Sequence, residues 1–151
     1  MCYLKPMPIT RLSTDEAKEK LDQGYTYVDV RTEQEFEEGH PEGAVNVPVA
    51  VMTDRGKTMN PDFVAAMNAL FPKTTAKVVL GCAAGVRSMT AAQLLDADGW
   101  ADLCELRPGW FGVRDPFGRV REKGWESSGF RIATGTPEGR TWADVKKKIV
   151  R

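Results

Sequence analysis

The sequence is poor in the side chains that most often hold metals. Its 151 residues include one histidine, His40, and three cysteines, Cys2, Cys82 and Cys104, none of them in a Cys-x-x-Cys pair. Because zinc sites are built from clusters of such ligands at short spacings, we expect no metal site. An odd number of cysteines also argues against a disulfide framework and favours reduced thiols.

An excess of charge and a long apolar run are also missing. Twenty-one basic residues balance twenty-one acidic ones, so no overall field favours binding to nucleic acid or to an anionic membrane. No window approaches the ~18 apolar residues of a membrane span, and the amino terminus lacks the apolar run of a signal peptide. We therefore expect no nucleic-acid partner, no membrane span and a cytoplasmic location.

The length and the 42% hydrophobic content fit one domain covering residues 1–151. Composition and capping patterns predict strands at 25–30, 45–47, 77–81 and 102–106, and helices at 14–23, 33–38, 60–70, 88–97 and 141–150. We expect 52–59 to be polar and irregular, and 107–140 to be a long ordered loop carrying several aromatic residues. Strands that alternate with helices in this way predict a parallel sheet with helices on both faces.

Cys82 directly follows the clearest predicted strand, 77–81, and precedes a predicted helix. Ligands of parallel sheets bind beyond the carboxyl ends of the strands, which makes this position a candidate site. A small buried cysteine with no chemical role is the alternative interpretation.

The segment after Cys82 has the composition of an anion-binding loop: Ala83, Ala84, Gly85, Val86, Arg87 and Ser88. Small residues allow the backbone to curl so that successive amides point at one spot, and the following helix adds partial positive charge. Such a loop favours the thiolate, which is the nucleophilic form of cysteine.

The loop from Cys82 to Arg87 is six residues long. It is one residue shorter than the loops with which cysteine phosphatases and arsenate reductases surround a tetrahedral anion. A smaller ring of amides suits an anionic sulfur carried on the cysteine itself.

Three segments together resemble the single-domain rhodanese family. They are the cysteine loop, the segment 27–31 (Tyr-Val-Asp-Val-Arg), and the segment 39–48 (Gly-His-Pro-Glu-Gly-Ala-Val-Asn-Val-Pro). The resemblance implies a three-layer α/β/α fold around a central parallel sheet of about five strands. The chain departs from the family pattern in an insert at about 111–124, in Pro108 and in the pair Pro41-Glu42.

The resemblance also implies a function. In a thiosulfate sulfurtransferase, Cys82 would take the outer sulfur of thiosulfate as a persulfide, held by the amides of residues 83–88, and pass it to cyanide, a thiol or a protein. Such chemistry needs no cofactor beyond the persulfide, and its partners are a small anionic donor and a thiophilic acceptor. A sulfur-carrier or regulatory binding module is one alternative, and a cysteine phosphatase or arsenate reductase is another.

Residues around the loop have two possible roles each. Arg87 either binds the donor's sulfonate or pairs with a carboxylate to brace the loop, and Ser88 either contacts the bound sulfur or caps the helix. Asp29 and Arg31 are interpreted as a supporting hydrogen-bond network behind the loop rather than as catalytic groups.

Three further features have structural interpretations. His40 is predicted to stabilise a turn, and Cys104 to be packed in a strand, although it could also resolve the persulfide. The insert carries Arg114, Arg119, Arg121 and Lys123, which predict either a solvated basic loop or a lid over the site that selects donors or docks an acceptor.

Overall fold

The computed structural model of the protein describes residues 9–149. Within these residues the strands are β1 (Ile9–Leu12), β2 (Thr26–Asp29), β3 (His40–Pro41), β4 (Val45–Asn46), β5 (Ala50–Thr53), β6 (Gly56–Met59), β7 (Val78–Gly81), β8 (Leu103–Leu106), β9 (Val113–Arg114), β10 (Val120–Glu122) and β11 (Ile132–Ala133). The helices are α1 (Thr14–Asp22), α2 (Glu33–Glu38), α3 (Phe63–Leu70), α4 (Arg87–Ala97) and α5 (Trp142–Lys146).

Five strands form a central sheet in the order β1-β8-β7-β2-β4, with every neighbouring pair parallel. This confirms the predicted parallel sheet of about five strands with helices around it. The edge strand β1 was not predicted, because two of its four residues are exposed and its sequence shows no apolar alternation.

Two hydrophobic clusters lie on opposite faces of this sheet. One joins Val28, Leu80 and Leu103 to α3, α4 and α5, and the other joins Val79 and Cys104 to α1 and α2. Residues that alternate along a strand point to opposite faces, so β7 contributes to both clusters. The result is the three-layer α/β/α arrangement that places β7 at the centre.

Helices α1 and α2 begin at complete capping boxes. The Ser13 side chain accepts from the Glu16 amide while Glu16 accepts from the Ser13 amide, and Thr32 and Glu35 repeat the arrangement. The predicted helix at 60–70 starts later, at Phe63. The Asn60 side chain instead accepts a 3.0 Å bond from the Asp62 amide and closes a turn before the helix.

The prediction that 52–59 is irregular was wrong. Strands β5 and β6 form an antiparallel hairpin that turns at residues 54 and 55, with Gly56 at φ 92°. The Thr53 hydroxyl donates to the Gly56 carbonyl at 3.1 Å. Sequence pattern missed this hairpin because it is largely exposed and its residues show no alternation of apolar and polar side chains.

The segment predicted as a long loop, 107–140, contains short strands. Strands β9 and β10 pair as a hairpin inside the predicted insert, and β11 pairs with β3. The predicted helix at 141–150 is present only over Trp142–Lys146, and position 150 lies outside the described residues. None of the helices in the described part of the chain is long and apolar enough to cross a membrane.

Candidate active site

Cys82 lies at the carboxyl end of β7, the middle strand of the sheet. Close packing beneath this end requires glycine at position 81, because a Cβ there would overlap the Tyr27 hydroxyl. Two amides from the segment after β8 hold the backbone of the loop: Trp110 donates to the Cys82 carbonyl at 2.8 Å and Phe111 to the Ala83 carbonyl at 3.1 Å. Cys82 is thus held between Tyr27 of β2 on one side and the segment after β8 on the other.

Two glycines shape the loop around the sulfur. Gly85 has φ 83°, and a Cβ there would overlap the Arg107 carbonyl oxygen. Gly109 has φ 69°, and a Cβ there would lie 2.5 Å from the Ala83 carbonyl oxygen. Only glycine combines this backbone conformation with such close contact.

The sulfur of Cys82 has one amide donor among the described residues. The Gly85 amide nitrogen lies 3.1 Å from Sγ, and the Ser88 hydroxyl lies 3.4 Å from it. Cys82 and Ser88 are fully buried, whereas Val86 is 72% exposed at the rim of the loop. The sequence predicts that the amides of 83 to 88 point at the sulfur. With Cys82 unmodified, the Gly85 amide is the one that donates to Sγ.

Arg87 braces the loop. Its two terminal nitrogens bind the two carboxylate oxygens of Glu35 at 2.6 and 2.8 Å, a bidentate pair between α4 and α2. Burial opposes ionisation of Glu35, but the Arg87 guanidinium and the Thr32 cap outweigh it and lower the pKa of this carboxyl to about 2. Of the two predicted roles, this geometry is that of a brace.

Asp29 and Arg31 form a buried ion pair, with Arg31 Nη2 2.7 Å from Asp29 Oδ2. Arg31 also donates to the Gly39 carbonyl at 2.6 Å and lies over the ring of Trp110 at 4.9 Å. Asn46 donates to the carbonyls of both residues at 3.0 Å. The pair joins β2, β4 and the segment after β8, which is the supporting network that the sequence predicts.

His40 and Cys104 are packed away from the loop. His40 is a buried residue of β3 rather than of a turn: its ring stacks on Phe36 at 3.8 Å, and Nδ1 lies 2.6 Å from the Phe36 carbonyl oxygen. Cys104 belongs to the cluster on the α1 side, where burial and the nearby Asp102 raise the pKa of its thiol to about 11. The interpretation of Cys104 as a packed strand residue fits this environment.

A buried carboxylate that sequence analysis missed lies behind the loop. Glu105 is fully buried in β8, accepts a 2.6 Å bond from the Ser88 hydroxyl, and pairs with Arg11 of β1. Arg11 in turn donates to the Gly85 carbonyl at 3.2 Å. The only sequence signal is a charged residue inside a predicted strand, which such strands bury only with a partner.

The insert is a locally bonded hairpin on the surface. Asp115 accepts from the amides of Phe117 and Arg119 at 2.9 Å each, and Phe117 is 83% exposed. Its base is attached elsewhere: Lys123 pairs with Asp15 of α1 at 3.0 Å, and Glu122 pairs with Arg107. Among the described residues, the bonds of 112–124 lead to the insert itself, to α1 and to Arg107, whereas Phe111 at its start donates to the Ala83 carbonyl.

Residues 9–149 contain no group of three or more His, Cys, Asp or Glu side chains that could hold a metal ion. The features that define the site are the buried Cys82, its glycine-shaped loop, and the parallel sheet that positions both.

The fold and the site together define a class: α/β/α proteins with a cysteine in a six-residue loop at the end of the central strand. The family model of the rhodanese-like domain matches residues 13–115. The chain therefore belongs to the rhodanese-like domain family, as its sequence motifs indicate.

Two similar proteins from Arabidopsis thaliana illustrate the relationship. The chain is 36% identical over 117 residues to rhodanese-like domain-containing protein 17, covering 74% of each chain. It is 36% identical over 107 residues to the chloroplastic thiosulfate sulfurtransferase 16, covering 71% of this chain and 80% of that protein. The matched segments span between 51% and 82% of the lengths of the curated relatives.

Solved structures agree on the fold. A crystal structure of a protein from M. tuberculosis superposes with a TM-score of 0.68 at 27% identity, covering 83% of this chain and 98% of the other. Two of the curated relatives are named thiosulfate sulfurtransferase.

Proposed function

We propose that this protein is a sulfurtransferase that carries a sulfane sulfur as a persulfide on Cys82. The observation that carries the proposal is the placement of Cys82: a buried sulfur at the end of β7, enclosed by a six-residue loop whose Gly85 amide donates to it at 3.1 Å. The proposed donor is thiosulfate or a related anionic sulfane compound, and the proposed acceptor is cyanide, a thiol or a protein thiol.

The first half-reaction forms the persulfide. The Cys82 thiolate attacks the outer sulfur of thiosulfate, the bond between the two thiosulfate sulfurs breaks, and sulfite leaves with the bonding electron pair. In the second half-reaction the acceptor attacks the outer sulfur of the persulfide and the thiolate of Cys82 is regenerated. With cyanide the product is thiocyanate, and the two steps need no metal or organic cofactor.

The loop contributes by stabilising negative charge on sulfur. A well-placed amide donor in a water-excluded site is worth ~3 kcal/mol in the transition state. Gly85 is such a donor for Sγ, and we expect the amides of 83, 84 and 86–88 to donate to the second sulfur once the persulfide forms. Arg87 supports this geometry through Glu35 instead of contributing a free charge.

The cellular location stays a prediction. The expected location is the cytoplasm, whereas two relatives carry the word chloroplastic in their names and a third the word mitochondrial. The cellular distribution of this protein fused at its carboxyl end to a fluorescent protein decides between the cytoplasm and an organelle.

The test is an intact-mass measurement after incubation with thiosulfate. We expect one added sulfur, ~32 Da, on the wild-type protein and none on Cys82→Ser. Cys104→Ser, which removes the other described thiol, serves as the matched control and is expected to gain the sulfur normally. Cyanide should then remove the adduct and release thiocyanate.

Two results would overturn the proposal. Absence of the adduct with thiosulfate, mercaptopyruvate and a protein persulfide would favour a binding module without sulfur transfer. Cys82-dependent release of phosphate from an aryl phosphate, without any sulfur adduct, would favour the phosphatase alternative.

A further inference from the structure

A hydrogen-bonded chain connects the sulfur of Cys82 to a buried carboxylate. The Ser88 hydroxyl oxygen lies 3.4 Å from Cys82 Sγ and 2.6 Å from Glu105 Oε2. Cys82, Ser88 and Glu105 each expose 1% of their surface or less. Water therefore does not compete for these bonds, which are stronger in such surroundings than at the surface.

The direction of these bonds follows from the chemistry of the groups. Arg11 is always charged and forms an ion pair with Glu105, in which Glu105 is the carboxylate partner. An ionised carboxylate only accepts, so Ser88 must donate its single proton to Glu105. The remaining contact, between Sγ and the Ser88 oxygen, is then a bond that the Cys82 thiol donates.

We propose that Glu105 is a positioning residue that restrains Cys82 through Ser88: by holding the one hydroxyl proton of Ser88, it keeps the resting nucleophile as a hydrogen-bonded thiol. The inference rests on the proposed function in taking Cys82 as the nucleophile. If Cys82 were a thiolate while Ser88 donated to Glu105, its negative charge would face the lone pairs of the Ser88 oxygen. The thiolate is stabilised only if the Ser88 hydroxyl turns away from Glu105 and donates to the sulfur.

Activation then consists of two coupled movements of protons. The thiol proton of Cys82 leaves to a base from solvent, and the Ser88 hydroxyl rotates so that its proton points at the sulfur anion. Glu105 loses that bond and keeps its ion pair with Arg11. Two anions thus compete for one donor, and the cost of forming the thiolate includes the bond that Glu105 gives up.

Other charged groups face this chain and act from a distance. Arg11 of β1 and Arg107 after β8 face Glu105, whereas Arg87 of α4 faces Cys82, and the buried Tyr27 of β2 lies near both anions. Arg87 is held by Glu35 and Arg107 by Glu122. Among these groups, only Glu105 contacts the hydroxyl that touches the sulfur.

The experiment is a pH titration of the thiolate of Cys82 by its ultraviolet absorbance, with the matching Cys82→Ser variant subtracted each time. This equilibrium measurement needs neither a sulfur donor nor access of a reagent to a buried thiol. Glu105→Gln keeps the shape but weakens the acceptor, and we expect it to lower the titration midpoint by about one pH unit or more. Glu122→Gln, which removes another carboxylate paired with an arginine, is the matched control and should leave the midpoint unchanged.

A double-mutant cycle distinguishes an effect of Glu105 that passes through Ser88 from direct electrostatic repulsion between Glu105 and the Cys82 thiolate. If Glu105 acts through Ser88, Glu105→Gln should shift the midpoint by less than half as much in a Ser88→Ala background. A shift that keeps half or more of its size without Ser88, or no shift in the wild-type background, would overturn the proposal.

The same measurement stays possible where the single variant does not fold. Glu105→Gln combined with Arg11→Gln leaves no unpaired buried charge and carries the same expectation of a lowered midpoint. If no sulfur is transferred but the midpoint shifts as expected, only the proposed function is contradicted. A normal sulfur adduct with an unshifted midpoint would contradict this inference alone.

Discussion

The cysteine loop, 82–88, and the hairpin of the insert, β9 to β10, are both short segments that contain one glycine and at least one arginine. The loop is bonded to four distant elements: Arg11 of β1, Glu35 of α2, Glu105 of β8, and the segment at 110–111. The hairpin tip is bonded to itself, with Asp115 accepting from amides two and four residues away.

The comparison shows what positions a reactive group in this protein. A loop whose partners come from several elements has one geometry that satisfies them all, because moving it would break bonds to separate parts of the core. A hairpin held by local bonds keeps its shape without constraining anything else. We therefore expect changes in the loop to affect both stability and activity, and changes in the hairpin tip to affect neither strongly.

The largest contrast is expected between Gly85→Ala and Gly118→Ala. Both glycines have φ near 80°, but a Cβ at Gly85 overlaps the Arg107 carbonyl oxygen, whereas a Cβ at Gly118 meets nothing within 4 Å. Gly85→Ala should lower the free energy of unfolding by about 2–4 kcal/mol and thiosulfate turnover about a hundredfold. Gly118→Ala should cost about 1 kcal/mol in unfolding and leave turnover unchanged.

Urea unfolding and thiocyanate formation measure the two effects. Equal losses of stability in the two variants would mean that the backbone conformation, and not the contact with Arg107, decides the outcome. The comparison between loop and hairpin would then fail.

A smaller effect is expected from the brace between Arg87 and Glu35. The pKa of Glu35 is about 2 in the folded protein against 4.5 for the free side chain, so the folded state binds its proton less readily. The resulting stabilisation is fully present above pH 4.5 and is lost as the pH falls towards 2. At neutral pH, Glu35→Gln should lower the free energy of unfolding by about 1–2 kcal/mol.

Urea unfolding of both proteins between neutral and acidic pH measures this difference, which should shrink as the pH falls. Arg121→Gln serves as the control in the hairpin, since Arg121 is 70% exposed and pairs with Asp115 at 3.4 Å. Its effect should stay below about 0.5 kcal/mol. A difference for Glu35→Gln that does not change with pH would show that ionisation of Glu35 is not its cause.

The smallest effect is expected from shortening the hairpin. Replacing residues 115–119 by a two-residue turn removes Phe117 and the bonds of Asp115, none of which reaches the loop. Thiosulfate turnover should stay within about twofold of the wild-type value at every donor concentration. A large rise in the KM for thiosulfate would instead assign the insert to the donor site, as the lid interpretation of its basic residues requires.

Several parts of the fold could be predicted because the residues that specify them are adjacent in sequence. The buried strand at 78–81 is a short apolar run, and the capping boxes at Ser13 and Thr32 mark two helix starts within a few residues. The exposed hairpin over 50–59 and the edge strand β1 were not predicted, because backbone pairing stabilises them and their sequences show no alternation of apolar and polar residues.

The candidate site divides in the same way. Cys82, its small-residue loop and Arg87 are adjacent in sequence, and the prediction placed Cys82 correctly between the end of a strand and the start of a helix. The partners of that loop could not be predicted, since Glu105 is 17 residues from Ser88 and Glu35 is 52 residues from Arg87. No local propensity relates residues at such separations.

The sequence by itself determined the chemistry that this protein can offer: one cysteine, separated from an arginine by four residues, in a loop that glycine and alanine allow to curl. Local spacing decides such features because adjacent residues share one short stretch of backbone. Only the tertiary structure decided that Arg87 is a brace and that a buried carboxylate holds the serine beside the sulfur. Those choices depend on which strands lie side by side, and the burial of two hydrophobic faces around the whole sheet sets that order.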